Sequence, residues 1–324
     1  MKLRKLAAGV LAGAMAMSFA ACGGDGGSST AKYQVGICQL AQHPALDAAT
    51  QGFMDQLKEK LGDDVAFDLQ NASNDSANCP TILNSFVSKG VNLILANATT
   101  PLQAAASATD SIPILGTSVT DYGSTLGITD WTGTTGRNIS GTTDLAPLDG
   151  QAAVIQELFP DAKNVGLLYC SGEPNSKYQV DVIKGYLQEM GYTCTEYSFS
   201  DSNDLSSVCS TACSESDVIY IPTDNTAANN AELIGNIVIP AGVPVVAGEE
   251  GICKGCGVAT LSIDYYELGK ITGDMAYEIL VNGADPATME VKSAPQFTKK
   301  YNATICEQLG ITPPEGYTAI AEEE

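Results

Sequence analysis

The sequence predicts an α/β protein of two similar lobes, each a parallel sheet covered by helices, and three observations predict it. Short runs of Val, Ile and Leu alternate with longer segments of helical period, the pattern of parallel strands joined by helices. Three of these runs recur in the same order at a spacing of roughly 130 residues. Val35-Gly36-Ile37 is echoed by Val165-Gly166-Leu167, Leu93-Ile94-Leu95-Ala96 by Val218-Ile219-Tyr220-Ile221, and Ile112-Pro113-Ile114-Leu115 by Val243-Pro244-Val245-Val246. Finally, a chain of 324 residues is too long for one small core and suits two lobes of ordinary size.

The elements follow in order. Lys2, Arg4 and Lys5 precede a small-apolar run from Leu6 to Ala21, the charge-then-hydrophobe order of an export signal over residues 1–21. Rich in Ala and Gly, that run is a poor membrane span. It ends in Phe19-Ala20-Ala21-Cys22, which resembles a lipobox with Phe where Leu is usual. Cys22 is then the lipidation site; ordinary cleavage leaving a free thiol is the alternative. The Gly- and Ser-rich residues that follow make 22–32 a flexible tether.

Tyr33 to Leu40 reads as a strand, and Pro44 opens a helix with Leu46, Ala49, Phe53, Leu57 and Leu61 on one face. Leu93 to Ala96 and Ile112 to Leu115 read as later strands, and Ile139 to Thr143 as a first crossover between lobes. Leu148, Ala152, Ile155 and Leu158 form a helix face ended by Pro160, and Leu268, Ile271, Met275 and Ile279 another stopped at Gly283. Such stripes are core, not cofactor boxes. The first lobe is thus expected over 33–145 plus 264–290, the second over 146–263 plus 291–313, and an acidic tail over 314–324.

Composition narrows the function. The formal charge of −22 becomes −25 once the three cations of residues 1–21 are set aside. Such an acidic surface disfavours nucleic acid and anionic headgroups as partners, leaving the lipid on Cys22 as the expected membrane contact. One histidine and no Gly-x-Ser-x-Gly motif argue against an enzyme, and no cofactor is expected. Ten cysteines become nine without Cys22, so at least one stays unpaired within the chain. Cys253 with Cys256, and Cys209 with Cys213, are spaced closely enough to raise a zinc or redox reading. The Cys253 pair is placed in a Gly-rich loop, and a structural or incidental role is preferred. Cys38, Cys170 and Cys194 fall in strand-like runs as small buried side chains.

In open parallel sheets, ligands sit beyond the carboxyl ends of the strands. Here those ends carry Gln39 to Pro44, Asn97 to Thr100 and Gly116-Thr117-Ser118 in the first lobe. In the second they carry Ser171 to Ser176, Pro222 to Asn225 and Gly248-Glu249-Glu250. Aligned on the echoes, Thr99 and Thr100 match Asp224 and Asn225, and Ser118 matches Glu249. Hydroxyls at helix starts suit an anionic group, and carboxylates suit an ammonium. A cleft with both poles fits an α-amino acid, although each residue also suits plain helix capping. His43 is equally a ligand-facing imidazole or a turn residue, and Tyr122, Trp131 and Tyr265 either stack on a ring or pack.

The runs His43-Pro44-Ala45-Leu46-Asp47, Ser171-Gly172-Glu173, Asn175-Ser176, Pro222-Thr223-Asp224-Asn225 and Ile263-Asp264-Tyr265-Tyr266 resemble the ABC transporter substrate-binding family that includes tryptophan/tyrosine-binding lipoproteins. The similarity spans Tyr33 to Ile311. The resemblance implies a type I periplasmic-binding fold: two Rossmann-like lobes, three crossovers and closure about a hinge. It also implies an extracytoplasmic lipoprotein that hands an aromatic amino acid to an ABC permease and ATPase. Asn175, Ser176, Asp224, Asn225 and Glu249 would line the second-lobe wall, Thr99 and Ser118 would lie opposite, and Asp264 near the return crossover. A ligand sensor for a receptor and a binder of another small molecule are the alternatives.

Overall fold

The computed structural model describes residues 31–321; the expected export signal, Cys22 and all but the last two residues of the tether lie outside it. The first sheet is built from β1 (Tyr33–Gln39), β2 (Val65–Asn71), β3 (Leu93–Asn97), β4 (Ile114–Val119) and β5 (Ile139–Thr143). Helices α1 (Pro44–Leu61), α2 (Asn78–Lys89), α3 (Thr99–Ala108) and α4 (Tyr122–Leu126) follow the first four strands. The second sheet starts after α5 (Leu148–Leu158) with β6 (Asn164–Cys170), α6 (Pro174–Glu189), β7 (Thr193–Phe199), α7 (Ser202–Glu215) and β8 (Val218–Ile221). It continues through α8 (Asn225–Asn229), α9 (Ala231–Ala241), β9 (Val245–Ala247), α10 (Glu250–Cys256) and β10 (Ala259–Ser262). The chain ends with α11 (Tyr265–Asn282), β11 (Lys292–Ser293), β12 (Thr298–Tyr301), α12 (Ala303–Leu309) and β13 (Thr318–Ala319).

The repeat seen in the sequence is a repeat of topology. The first sheet runs β5-β4-β3-β1-β2 and the second β10-β9-β8-β6-β7, five parallel strands in the same order. Each is doubly wound because its central strands are apolar on both faces. Val35, Ile37, Leu93 and Leu95 pack with Phe53, Leu57 and Met275 on one side of the first sheet. Their neighbours Cys38, Ile94 and Ala96 pack with Leu83, Phe86 and Leu102 on the other. Fully burying a side chain such as Phe53 stabilises by roughly 1.5–3 kcal/mol, so this alternation fixes register and face together.

Three connections join the sheets: from β5 to α5, from β10 to α11, and from β11 to β12. Helix α11 leaves the second sheet and packs on α1 against the first, where Thr272 hydrogen-bonds Thr142 (2.8 Å) and Thr117 (3.3 Å). Two expected boundaries shift. Lys292 and Ser293 pair with Thr142 and Thr143 of the first sheet, so that lobe's last piece runs past 290. Thr318 and Ala319 pair with Lys300 and Tyr301, adding a strand where a plain tail was expected. The segment Gly251 to Cys256 is helical and not a Gly-rich loop. Its Cys253 and Cys256 point into the core, and burial raises both thiols, the opposite of what a redox thiol needs.

Candidate functional site

The carboxyl ends of the two sheets face one another, and nearly every candidate residue lies there. Thr99 is the first residue of α3, and Ser118 lies at the end of β4, inside the strand and not in a loop after it. Both positions sit on unusual backbone. Ala98, just before Thr99, has φ 105° and ψ 167°, a region essentially reserved for glycine, and Ser118 has φ 55°. Such conformations cost about 1–3 kcal/mol each and persist where the surroundings impose them. The register between β4 and β5 slips between Gly116 and Val119, which re-aims Ser118. Its hydroxyl oxygen is buried with no hydrogen-bond partner among the described residues.

The second-lobe wall is acidic. Asp224 caps α8, accepting from the Ala227 N–H at 2.8 Å, and also accepts from the Cys170 N–H at 2.6 Å. Glu249 caps α10, accepting from the Gly251 and Ile252 N–H groups. Capping, which a carboxylate at a helix start can do, is therefore part of both roles. Even so, both are almost wholly buried, and desolvation pushes both carboxyls up to about 7. At the first connection, Asp144 accepts from Tyr265 Oη at 2.9 Å and Thr120 Oγ1 at 3.5 Å, and burial raises it to about 6. No Lys or Arg among the described residues is buried. Asn175 is held by Thr223 O at 3.1 Å, and Ser176 beside it is fully buried.

His43 and Asn225 meet across the cleft, Nε2 to Oδ1 at 3.1 Å. Asn74 donates to Thr226 Oγ1 at 3.1 Å, a second bond between the lobes. Burial lowers the His43 pKa, so the ring is a neutral hydrogen-bonding group. Two candidates stand apart from the buried set. Thr100 is half-buried on one flank, in a groove of about 510 Å³ shared with Asn74, Glu173 and Thr226. Asp264 is exposed on the other flank, capping α11 beside a groove of about 420 Å³. Tyr122 and Tyr265 are packed: Tyr122 donates to Thr142 O at 3.1 Å and stacks on Trp131 at 6.3 Å.

Sequence reasoning missed Glu173, Asp144 and Asn74 as site residues. Glu173 lies within the Ser171 to Ser176 stretch already placed at a strand end but was not singled out there, while Asp144 and Asn74 come after β5 and β2, strands to which the positional rule was not applied.

Residues 34–324 match the family described as ABC transporter substrate binding protein. A relative from Clostridioides difficile named tyrosine-binding protein is 33% identical over 293 residues, 86% of this chain and 85% of that one. A Streptococcus pneumoniae ABC domain solved in complex with L-Trp is 30% identical, with a TM-score of 0.85 over 90% of this chain and 100% of that one. A ligand-free, open substrate-binding protein with adhesive properties from C. difficile is 34% identical, with a TM-score of 0.69 over 90% of this chain and 100% of that one. At comparable identity the arrangement here is nearer the tryptophan complex than the open form, in keeping with the two hydrogen bonds across the cleft.

Proposed function

Since the chain belongs to the ABC transporter substrate-binding protein family, a non-enzymatic class, we propose that it is the receptor of an importer and captures an α-amino acid, tyrosine or tryptophan foremost. The observation that carries the reading is the charge imbalance of the cleft. Asp144, Asp224 and Glu249 are buried, their carboxyls raised, and among the described residues no Lys or Arg is buried beside them. A buried carboxylate is tolerated when paired, and a ligand ammonium supplies the missing charge. Opposite, the unpartnered Ser118 hydroxyl and the N-terminus of α3 at Thr99 offer donors to a carboxylate. Asn175 and Ser176 complete the second-lobe side. A zwitterion satisfies both poles only when the lobes are together, so its binding favours closure.

The relatives that bind tyrosine and tryptophan support an aromatic side chain. The basic-then-apolar N-terminus ending at Cys22 supports export, cleavage and lipidation on that cysteine, which would hold the protein at the outer face of the membrane beside a permease and ATPase. No described helix is long and apolar enough to cross a membrane.

A thermal-shift screen of residues 32–324 against all amino acids, nucleosides and sugars tests this. A ligand at a hundred times its Kd stabilises by about 2.7 kcal/mol, a rise of a few degrees. Tyrosine and tryptophan are expected to give the largest shifts, and Asp224→Ala and Glu249→Ala to remove them. Stabilisation confined to sugars or nucleosides, or amino-acid affinity untouched by both substitutions, would reject the zwitterion site.

A further inference from the structure

Glu173 is 5% exposed and sits at the start of α6. Its carboxylate accepts hydrogen bonds from the backbone N–H groups of Asn225 (3.0 Å) and Thr226 (2.8 Å) and from Asn175 Nδ2 (3.2 Å). It also accepts from Asn225 Nδ2 (2.7 Å) and Thr226 Oγ1 (2.7 Å). The last two bonds have a directional consequence. With its NH2 given to Glu173, the Asn225 amide must turn its oxygen to the other lobe, where His43 Nε2 lies at 3.1 Å. With its proton given to Glu173, the Thr226 hydroxyl presents only lone pairs outward, and Asn74 donates to it. One buried carboxylate thus sets the polarity of both hydrogen bonds that cross the cleft here. It also fixes the His43 tautomer, since Nε2 must be the protonated nitrogen to meet an oxygen.

We propose that Glu173 is the positioning residue of a closure latch, in which Asn225 and Thr226 on the second lobe engage His43 and Asn74 on the first. The latch holds the lobes together, and these five side chains act on capture through closure and not through contact with the bound molecule. The proposal rests on the two-lobe capture reading above and is independent of which molecule is captured. Glutamine in place of Glu173 keeps the shape but has one acceptor oxygen where two are used. Its NH2 would face groups that already donate, so Thr226 or Asn225 must turn and a crossing bond is lost.

The latch favours the closed arrangement with or without ligand, and once a ligand has entered it acts on escape, so its loss is read in koff while kon stays nearly constant. Radiolabelled L-tyrosine and L-tryptophan serve as probes in rapid-mixing association and release measurements on native protein, Glu173→Gln and Asn74→Ala. Each variant is expected to raise koff on the order of tenfold with kon within about twofold, and the double variant to exceed Glu173→Gln little, because both break one unit. Simple loss of folded protein lowers the number of sites and leaves koff alone. An unchanged koff in Glu173→Gln, or an affinity loss carried by kon, overturns the latch. If native protein binds neither probe, the amino-acid reading falls and small-angle scattering of the ligand-free proteins decides. A larger radius of gyration in both variants than in native protein supports the latch, and equal radii overturn it.

Discussion

Asp224 and Glu249 titrate where few carboxylates do, and the sign of the effect can be worked out. Their pKa values rise from the ordinary carboxylate range to about 7 because burial disfavours the charged form. A raised folded-state pKa contributes stability that is complete below the unfolded value and is lost as pH rises through the folded one. The ligand-free protein is therefore expected to melt several degrees lower at pH 8 than at pH 5, as read by calorimetry. Ligand binding should show the reverse slope. An ammonium beside these groups draws their protons off, so amino-acid affinity rises from pH 6 to pH 8. Calorimetric titration in two buffers of different ionisation enthalpy should register proton release near pH 7. At this scale the placement of the candidates was partly legible: Asp224, Glu249 and Thr99 lie just beyond echoed strands, as the sequence suggested, whereas Ser118 lies within β4. What was not legible is how each is engaged. The role of Glu173 comes from Asn225 and Thr226, some fifty positions away and held by four bonds, and no local pattern encodes that.

Among the elements, the crossing of α1 and α11 brings two backbones into close contact. A Cβ on Gly269 would lie 2.1 Å from the Ala49 carbonyl oxygen, and one on Gly52 would lie 2.1 Å from that of Tyr266. Backbone meets backbone there, so no rotamer change relieves the clash. Gly269→Ala is expected to destabilise by about 1–3 kcal/mol, shown by a lower urea midpoint at unchanged slope. Gly283→Ala is no control, because that residue caps α11 at φ 70°. The helix itself was readable from Leu268, Met275 and Ile279, and its end from Gly283. Its partner was not, because Gly52 and Gly269 look like weak helix positions until the neighbouring helix is known. The short strands β11 and β13 escaped for a related reason. Their residues are exposed and mostly polar, and only pairing with Thr142–Thr143 and Lys300–Tyr301 makes them strands.

For the molecule as a whole, charge is the dominant long-range quantity. A net charge of −22 on 324 residues repels itself, and salt shortens that repulsion to a Debye length of about 8 Å at physiological ionic strength. Raising NaCl from 10 to about 150 mM is expected to raise the melting temperature, while tyrosine affinity, set in the buried cleft, changes less. The overall architecture was the most legible feature, because five strands in one order appear twice and apolar runs advertise strands on both faces. The lobe boundaries were less so, since they depend on where the third connection crosses.

That interleaving governs the order in which the protein can be completed. Helix α11 covers a face of the first sheet, and β11 extends its edge, yet both follow every strand of the second sheet up to β10 in the chain. Folding from the N-terminus forward is the habit of multidomain chains, and it is closed to this one. When residue 262 has emerged, the first lobe still lacks the helix that covers Phe53 and Leu57, and it must wait, half-clothed, for the second to be nearly finished.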